Sequence, residues 1–148
     1  MKANDPSDKP LLWAECERTI SFYDIDALRV VWHGNYVKYL EEAREAFGHK
    51  YGLEYLSFLD HGYIVPVTDL HIQYRQVIPY EEKIIVRIEY VPTHASKIIY
   101  RYSILRQSDR ALMTEATTTQ HFVRADNNET ELAAPAFYKE WQKRWKQR

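Results

Sequence analysis

From residue 13 to residue 23 hydrophobic and polar positions alternate, with Cys16, Ile20 and Phe22 on one parity and Glu15, Glu17, Thr19 and Ser21 on the other. A period of two predicts a strand with one face buried. From 35 to 51 the period changes. Tyr36, Tyr39, Leu40, Ala43 and Phe47 recur at helical spacing, while Lys38, Glu42, Glu45 and Lys50 lie mostly elsewhere. This predicts one long central helix. Gly48 and Gly52 weaken it and mark its end, glycine being common just past a helix C-terminus. The period returns to two in four further runs, 63–76, 83–91, 97–107 and 111–124. Ile78-Pro79-Tyr80, Pro92-Thr93-His94 and Ser108-Asp109-Arg110 separate them with residues that favour turns or interrupt a ladder. Consecutive strands are therefore expected to pair as antiparallel neighbours. A C-terminal helix over 135–148 opens at Pro135, a favoured first helical position, and sets Phe137, Trp141 and Trp145 four apart on one stripe.

The order of strand, long helix and then antiparallel strands makes the class α+β. A polar lead at 1–10 is expected to be flexible, and 11–148 to form a single domain. Twelve tyrosines and four tryptophans make the chain aromatic, and such a surplus often serves interfaces. A formal net charge of -1 gives no overall pull toward nucleic acid or an anionic membrane. No stretch approaches the roughly 20 apolar residues that cross a bilayer. Cys16, the single cysteine, excludes an internal disulfide framework and a multi-cysteine zinc site. It is read as core filling in a protein of the reducing cytoplasm.

Chemistry concentrates between the first strand and the helix, in Tyr23-Asp24-Ile25-Asp26-Ala27-Leu28-Arg29-Val30-Val31-Trp32-His33-Gly34-Asn35-Tyr36. An aromatic residue precedes Asp-x-Asp, a short loop follows with Val-Val-x-His, and a tyrosine opens the helix. In this pattern the chain resembles the 4-hydroxybenzoyl-CoA thioesterase family, including its Tol-Pal-associated acyl-CoA thioesterase branch. Asp26, Val31, His33 and Tyr36 stand in register with the motif. The run Ile72-Gln73-Tyr74-Arg75-Gln76-Val77-Ile78-Pro79 also resembles the family's strand leading to a proline. The likeness covers about 13–126.

The resemblance implies a hotdog fold, an antiparallel sheet wrapped around one long helix, and hydrolysis of an acyl-CoA thioester to free acid and CoA. It makes Asp26 the catalytic carboxylate, attacking the carbonyl or taking a proton from water. The backbone N–H of His33, with Gly34 beside it at the helix start, would stabilise the oxyanion. The His33 side chain would assist the carboxylate. Tyr36, Arg75, Ser96 and Lys97 are candidates for contact with substrate or the CoA nucleotide. A homo-oligomer, dimer or tetramer, with the site between subunits, is implied as well; no cofactor is. Ala27-Leu28-Arg29 departs from the small residues many relatives carry, so the shape of the acyl pocket does not carry over.

Glu42 is a second candidate carboxylate, lying on the helix after His33-Gly34 at the spacing of another hotdog subgroup; Asn35 replaces that subgroup's second glycine. Glu41 lies three before Arg44 and is expected to pair with it. His61, His71, His94 and His121 lack metal-ligand spacing, so no metal is implied. Ser57, Ser96 and Ser103 lack a nucleophile elbow. Two other functions compete with the thioesterase: a hotdog acyl-CoA hydratase or dehydratase, and a noncatalytic acyl-CoA-binding module.

Overall fold

The computed structural model describes residues 9–148, so most of the lead at 1–10 lies outside the described residues. Strand β1, Trp13–Thr19, ends earlier than its alternation suggests. Ile20 is buried, but the chain then turns through a short 3-10 segment, Phe22–Asp24, and Phe22 is left 75% exposed rather than in the core. Cys16 is half-buried at the edge of the core. A second 3-10 turn, His33–Asn35, leads into helix α1, Tyr36–Tyr51. Its predicted stripe of Tyr36, Tyr39, Leu40, Ala43 and Phe47 is buried. Gly52 ends the helix at φ 76°, donating its N–H to the Gly48 carbonyl at 2.8 Å. Gly48 itself lies within the helix, at a point where a Cβ would stand 2.8 Å from the Leu53 carbonyl oxygen.

A short helix α2, Tyr55–Asp60, follows, which the sequence pattern does not announce. The run expected at 63–76 is split at Pro66 into β2, Tyr63–Ile64, and β3, Val67–Tyr74. Strands β4, Lys83–Val91, and β5, Lys97–Arg106, match their alternation. The last run divides into β6, Leu112–His121, and β7, Val123–Arg124, which pairs with β2. The five long strands form one antiparallel sheet in the order β1-β4-β5-β6-β3. Pairing of consecutive strands thus holds for β4-β5 and β5-β6 and fails for β3 and β4. The segment 75–82 is a crossover from one edge of the sheet toward the other, not a hairpin.

The core lies between the sheet and α1, filled by alternate residues such as Ile84, Val86 and Ile88 of β4 and Ile98, Tyr100 and Ile104 of β5. Helix α3, Ala136–Arg144, closes the far end and is shorter than expected. Its aromatic stripe packs on the domain. Trp141 lies against Tyr90, and the indoles of Trp141 and Trp145 both donate to the Tyr51 carbonyl, at 2.8 and 3.0 Å. Phe137 stacks on His61 with centroids 4.3 Å apart.

Candidate active site

The stretch 24–32 is a small hairpin rather than an open loop. Ile25 and Val31 bridge antiparallel, with Asp26 N–H donating to Val30 O at 3.0 Å and Trp32 N–H donating to Asp24 O at 3.0 Å. Its tip closes through Arg29 N–H to Asp26 O, with Arg29 in the left-handed region at φ 64°. The crossover runs along its outer side, where Val31 N–H donates to Ile78 O and Val30 bridges Pro79. The hairpin is therefore held by backbone on both sides, and its second arm runs directly into His33.

On this hairpin the two aspartates have separate duties. Asp24 is buried. Both its carboxylate oxygens accept from Arg18, at 3.1 and 3.2 Å, and Oδ2 also accepts the Ser21 N–H at 2.8 Å. Asp26 is half-buried, and its Oδ1 accepts the Leu28 N–H at 2.8 Å. No hydrogen bond or ion pair engages Asp26 Oδ2 among the described residues. One oxygen is thus oriented by the turn, and the other is left without a partner among the described residues.

The helix start supplies the complementary donors. Asn35 N–H is taken by Trp32 O at 2.9 Å, whereas the N–H groups of His33 and Gly34 are the first of the turn, which a helix start leaves without an intrahelical partner. Two half-exposed aromatics flank them. The Tyr74 hydroxyl donates to the His33 carbonyl at 2.7 Å, and the Trp32 ring lies against Gly34. The His33 ring is exposed, tilted against Trp32 at 5.2 Å. Tyr36, read from sequence as a substrate contact, is 3% exposed and meets the Tyr74 ring edge-on at 4.7 Å. Burial pushes its hydroxyl up to about 12. Tyr74, which the pattern does not single out, is 47% exposed.

The remaining candidates separate. Glu42 is in an ion pair with Arg18 at 2.7 Å, and Glu41 pairs with Arg44 as expected. Arg75 follows Tyr74 at the same end of the sheet and pairs with Glu115 at 2.6 Å. Ser96 donates its hydroxyl to Glu131 O at 2.7 Å. Lys97 pairs with His121 in register, at the opposite end from the Tyr74–Thr114 pair. Seven strand residues separate these rungs, roughly 23 Å. Within one chain, then, Asp26, His33, Gly34, Tyr36 and Arg75 gather at one end, and Ser96 and Lys97 lie at the other. A cavity of about 480 Å³ between α1 and α2, lined by residues including Glu45, His49, Phe58 and Tyr100, takes in neither Asp26 nor the helix start.

Arg18, unremarked in the sequence pattern, joins these parts. Its guanidinium lies over the Tyr39 ring at 4.8 Å and bonds Asp24 and Glu42. Burial opposes its charge, but hydrogen bonding to Asp24 and attraction to Glu42 outweigh that and hold its pKa above the ordinary value.

A five-stranded antiparallel sheet on one long helix, with a carboxylate hairpin feeding the helix start, defines a hotdog thioesterase fold. The chain belongs to the thioesterase-like superfamily, whose profile matches residues 20–145. It is 25% identical to the solved DHNA-CoA thioesterase of Staphylococcus aureus, with a TM-score of 0.79 over 90% of this chain and 89% of that one. The 4-hydroxybenzoyl-CoA thioesterase of Pseudomonas sp. strain CBS-3 shares the fold, with a TM-score of 0.75 over 87% and 98% of the two chains at 20% identity. YneP of Bacillus subtilis (strain 168), provisionally named an acyl-CoA thioesterase, is 27% identical over 88 residues, 60% of this chain and 64% of its own length.

Proposed function

We propose that this chain hydrolyses acyl-CoA thioesters to the free acid and CoA, with Asp26 as the catalytic carboxylate. The observation that carries this reading is the Asp26 side chain itself, one oxygen fixed by Leu28 N–H and the other without a partner among the described residues, on a hairpin that leads into the unpaired donors of His33 and Gly34. A thioester carbonyl set against those donors would be polarised by them and by the helix dipole. Asp26 Oδ2 either adds to the carbonyl carbon or takes a proton from the water that does. In the first route the tetrahedral oxyanion collapses to a mixed anhydride and expels CoA as thiolate, and water then splits the anhydride and restores Asp26. In the second, hydroxide adds, CoA leaves, and the proton held by Asp26 passes to the thiolate. The His33 imidazole assists from the exposed side of the same turn.

The Arg18 pair supports a structural duty for Glu42. A homo-oligomer, dimer or tetramer, is supported by β3, which pairs with β6 on one side only and is almost wholly exposed in a single chain. It would also let Ser96 and Lys97 of a second copy lie beside the CoA of a site, since within one chain they stand at the opposite end of the sheet. No described helix is long and apolar enough to cross a membrane. A reducing cytoplasmic setting fits Cys16, whose thiol burial and the Glu42 charge push up to about 11 and so keep protonated.

The test is release of free thiol from a panel of aryl, short-chain and medium-chain acyl-CoAs. Positioned acid-base or nucleophilic groups contribute about 10² to 10⁴ in rate, so Asp26→Asn should lose that much turnover with folding intact. Glu42→Gln should change it far less. His33→Ala should fall between, since the backbone donor survives. Loss of hydrolysis in Glu42→Gln with most of it kept in Asp26→Asn would move the carboxylate to the helix.

A further inference from the structure

We propose that Arg18 is a positioning residue for this reaction, a clasp from β1 that holds the foot of the 24–32 hairpin so that Asp26 and the His33–Gly34 turn keep one relative geometry. The proposal rests on the assignment of Asp26 as the reacting carboxylate. Arg18 reaches three residues, on the hairpin and on α1, from one guanidinium. Nη2 donates to both Asp24 oxygens, Nη1 donates to Glu42 Oε1 on α1, and the plane lies over Tyr39 on the same helix. Asp24, thus fixed, is the residue on which the hairpin closes. Its carbonyl accepts the Trp32 N–H at 3.0 Å and the Asn35 side-chain amide at 2.8 Å. Those two donors bracket His33 and Gly34 in the chain. From the same foot, Asp26 is one rung up the ladder. The carboxylate and the oxyanion donors therefore share Asp24 as one anchor, beside the crossover that holds the hairpin's outer arm, and Arg18 is the group that ties Asp24 to both sheet and helix.

Stability alone is a poor account of this arrangement. The Arg18 side chain is 19% exposed and that of Asp24 3%, and the Arg18 Nε is buried without a partner among the described residues. Buried ion pairs of this kind contribute little to stability relative to apolar packing, and fixing one arrangement among several is their best-attested use. A reaction that needs reacting atoms aligned gives that use a purpose, since a misplacement of about 1 Å can cost about 10²-fold in rate.

The experiment measures kcat and KM for thiol release from acyl-CoA on the full chain, at a temperature where circular dichroism shows each variant folded. Arg18→Gln leaves the buried Asp24 unclasped, and should lower kcat by about tenfold or more with KM within about threefold. Adding Asp24→Asn to Arg18→Gln replaces the ion pair by two amides of similar shape and should recover at least about threefold of the lost kcat. Arg18→Lys keeps the charge but not the fork that spans Asp24 and Glu42, and should fold and fall between. A kcat per folded molecule within about twofold of the unaltered protein in both Arg18→Gln and Arg18→Lys would overturn the proposal, as would a double variant no better than Arg18→Gln. If Arg18→Gln does not fold, Arg18→Lys and the double variant decide by the same kcat criterion. Asp26→Asn is measured alongside. Full activity there would sink the site assignment, whereas its loss combined with unaffected Arg18 variants would sink only the clasp.

Discussion

The Trp32 ring occupies the space a side chain at position 34 would need, with ring atoms 2.3 to 2.8 Å from where a Cβ would stand. Gly34→Ala must therefore push the ring off the helix start. Overpacking of this kind costs roughly 1–3 kcal/mol, and the low end is expected because Trp32 is half-exposed and can swing outward. In a Trp32→Ala background the same substitution should cost nothing, since alanine is the better helix former. A double-mutant cycle by urea denaturation reads the coupling, and additivity of the two changes would show that the ring does not constrain Gly34. The aspartate, histidine and glycine were legible in the sequence because their spacing is local and belongs to one motif. Arg18 was not, because its partners lie 6 and 24 residues away and meet it only after the sheet and helix have packed. Helical periodicity placed Tyr36 on the buried face of α1 but could not show that the Tyr74 ring packs against it, a contact made across 38 residues of chain.

At the corner between α1 and α2 the His49 ring pairs with Glu45 on its own helix and with Glu54, the residue that precedes α2. The Glu54 hydrogen bond and charge raise the His49 pKa above its usual value. Because the folded state favours the proton, this clip is fully made below about pH 6.5, the unfolded value, and is lost as pH rises through the raised folded pKa. Amide protection factors for 53–58, corrected for intrinsic exchange, should be higher at pH 6 than at pH 9. In His49→Gln that difference should vanish. A pH dependence that survives the substitution would place the clip elsewhere. Helix α2 escaped the sequence reading because six residues are too few for a period to register, and its Tyr55 and Leu56 are exposed. The long central helix was legible because five buried positions, 36 to 47, repeat across about three turns. Strand limits failed where backbone geometry intervenes. Pro66 separates β2, which pairs with β7, from β3, which pairs with β6, and Met113 forms a bulge in β6 whose carbonyl accepts both Arg75 and Gln76 N–H groups.

For the whole molecule, alternation identified nearly every strand but not the sheet order, since a period of two says which face is buried and nothing about lateral neighbours. The crossover at 75–82 sends β3 to the outer edge, and that placement has a physical consequence. Seven of its eight residues are exposed, Val67, Leu70 and Tyr74 among them, and its outer backbone groups have no partner strand among the described residues. Such an edge is a template for pairing with another chain unless charge or proline blunts it, and β3 carries one acidic residue, Asp69, and no proline. A second copy is the natural partner, because a two-fold axis lets the same strand pair with itself. Leu70→Lys puts a charge on that edge without touching the hairpin or the helix start. In sedimentation velocity at about 10 μM the unaltered protein should run as a dimer or larger, and Leu70→Lys should shift toward monomer. If Ser96 and Lys97 of one copy serve the CoA bound beside Asp26 of the other, KM for acyl-CoA should rise in step with dissociation. A stable monomer with normal KM in the unaltered protein would remove both the interface and the shared site.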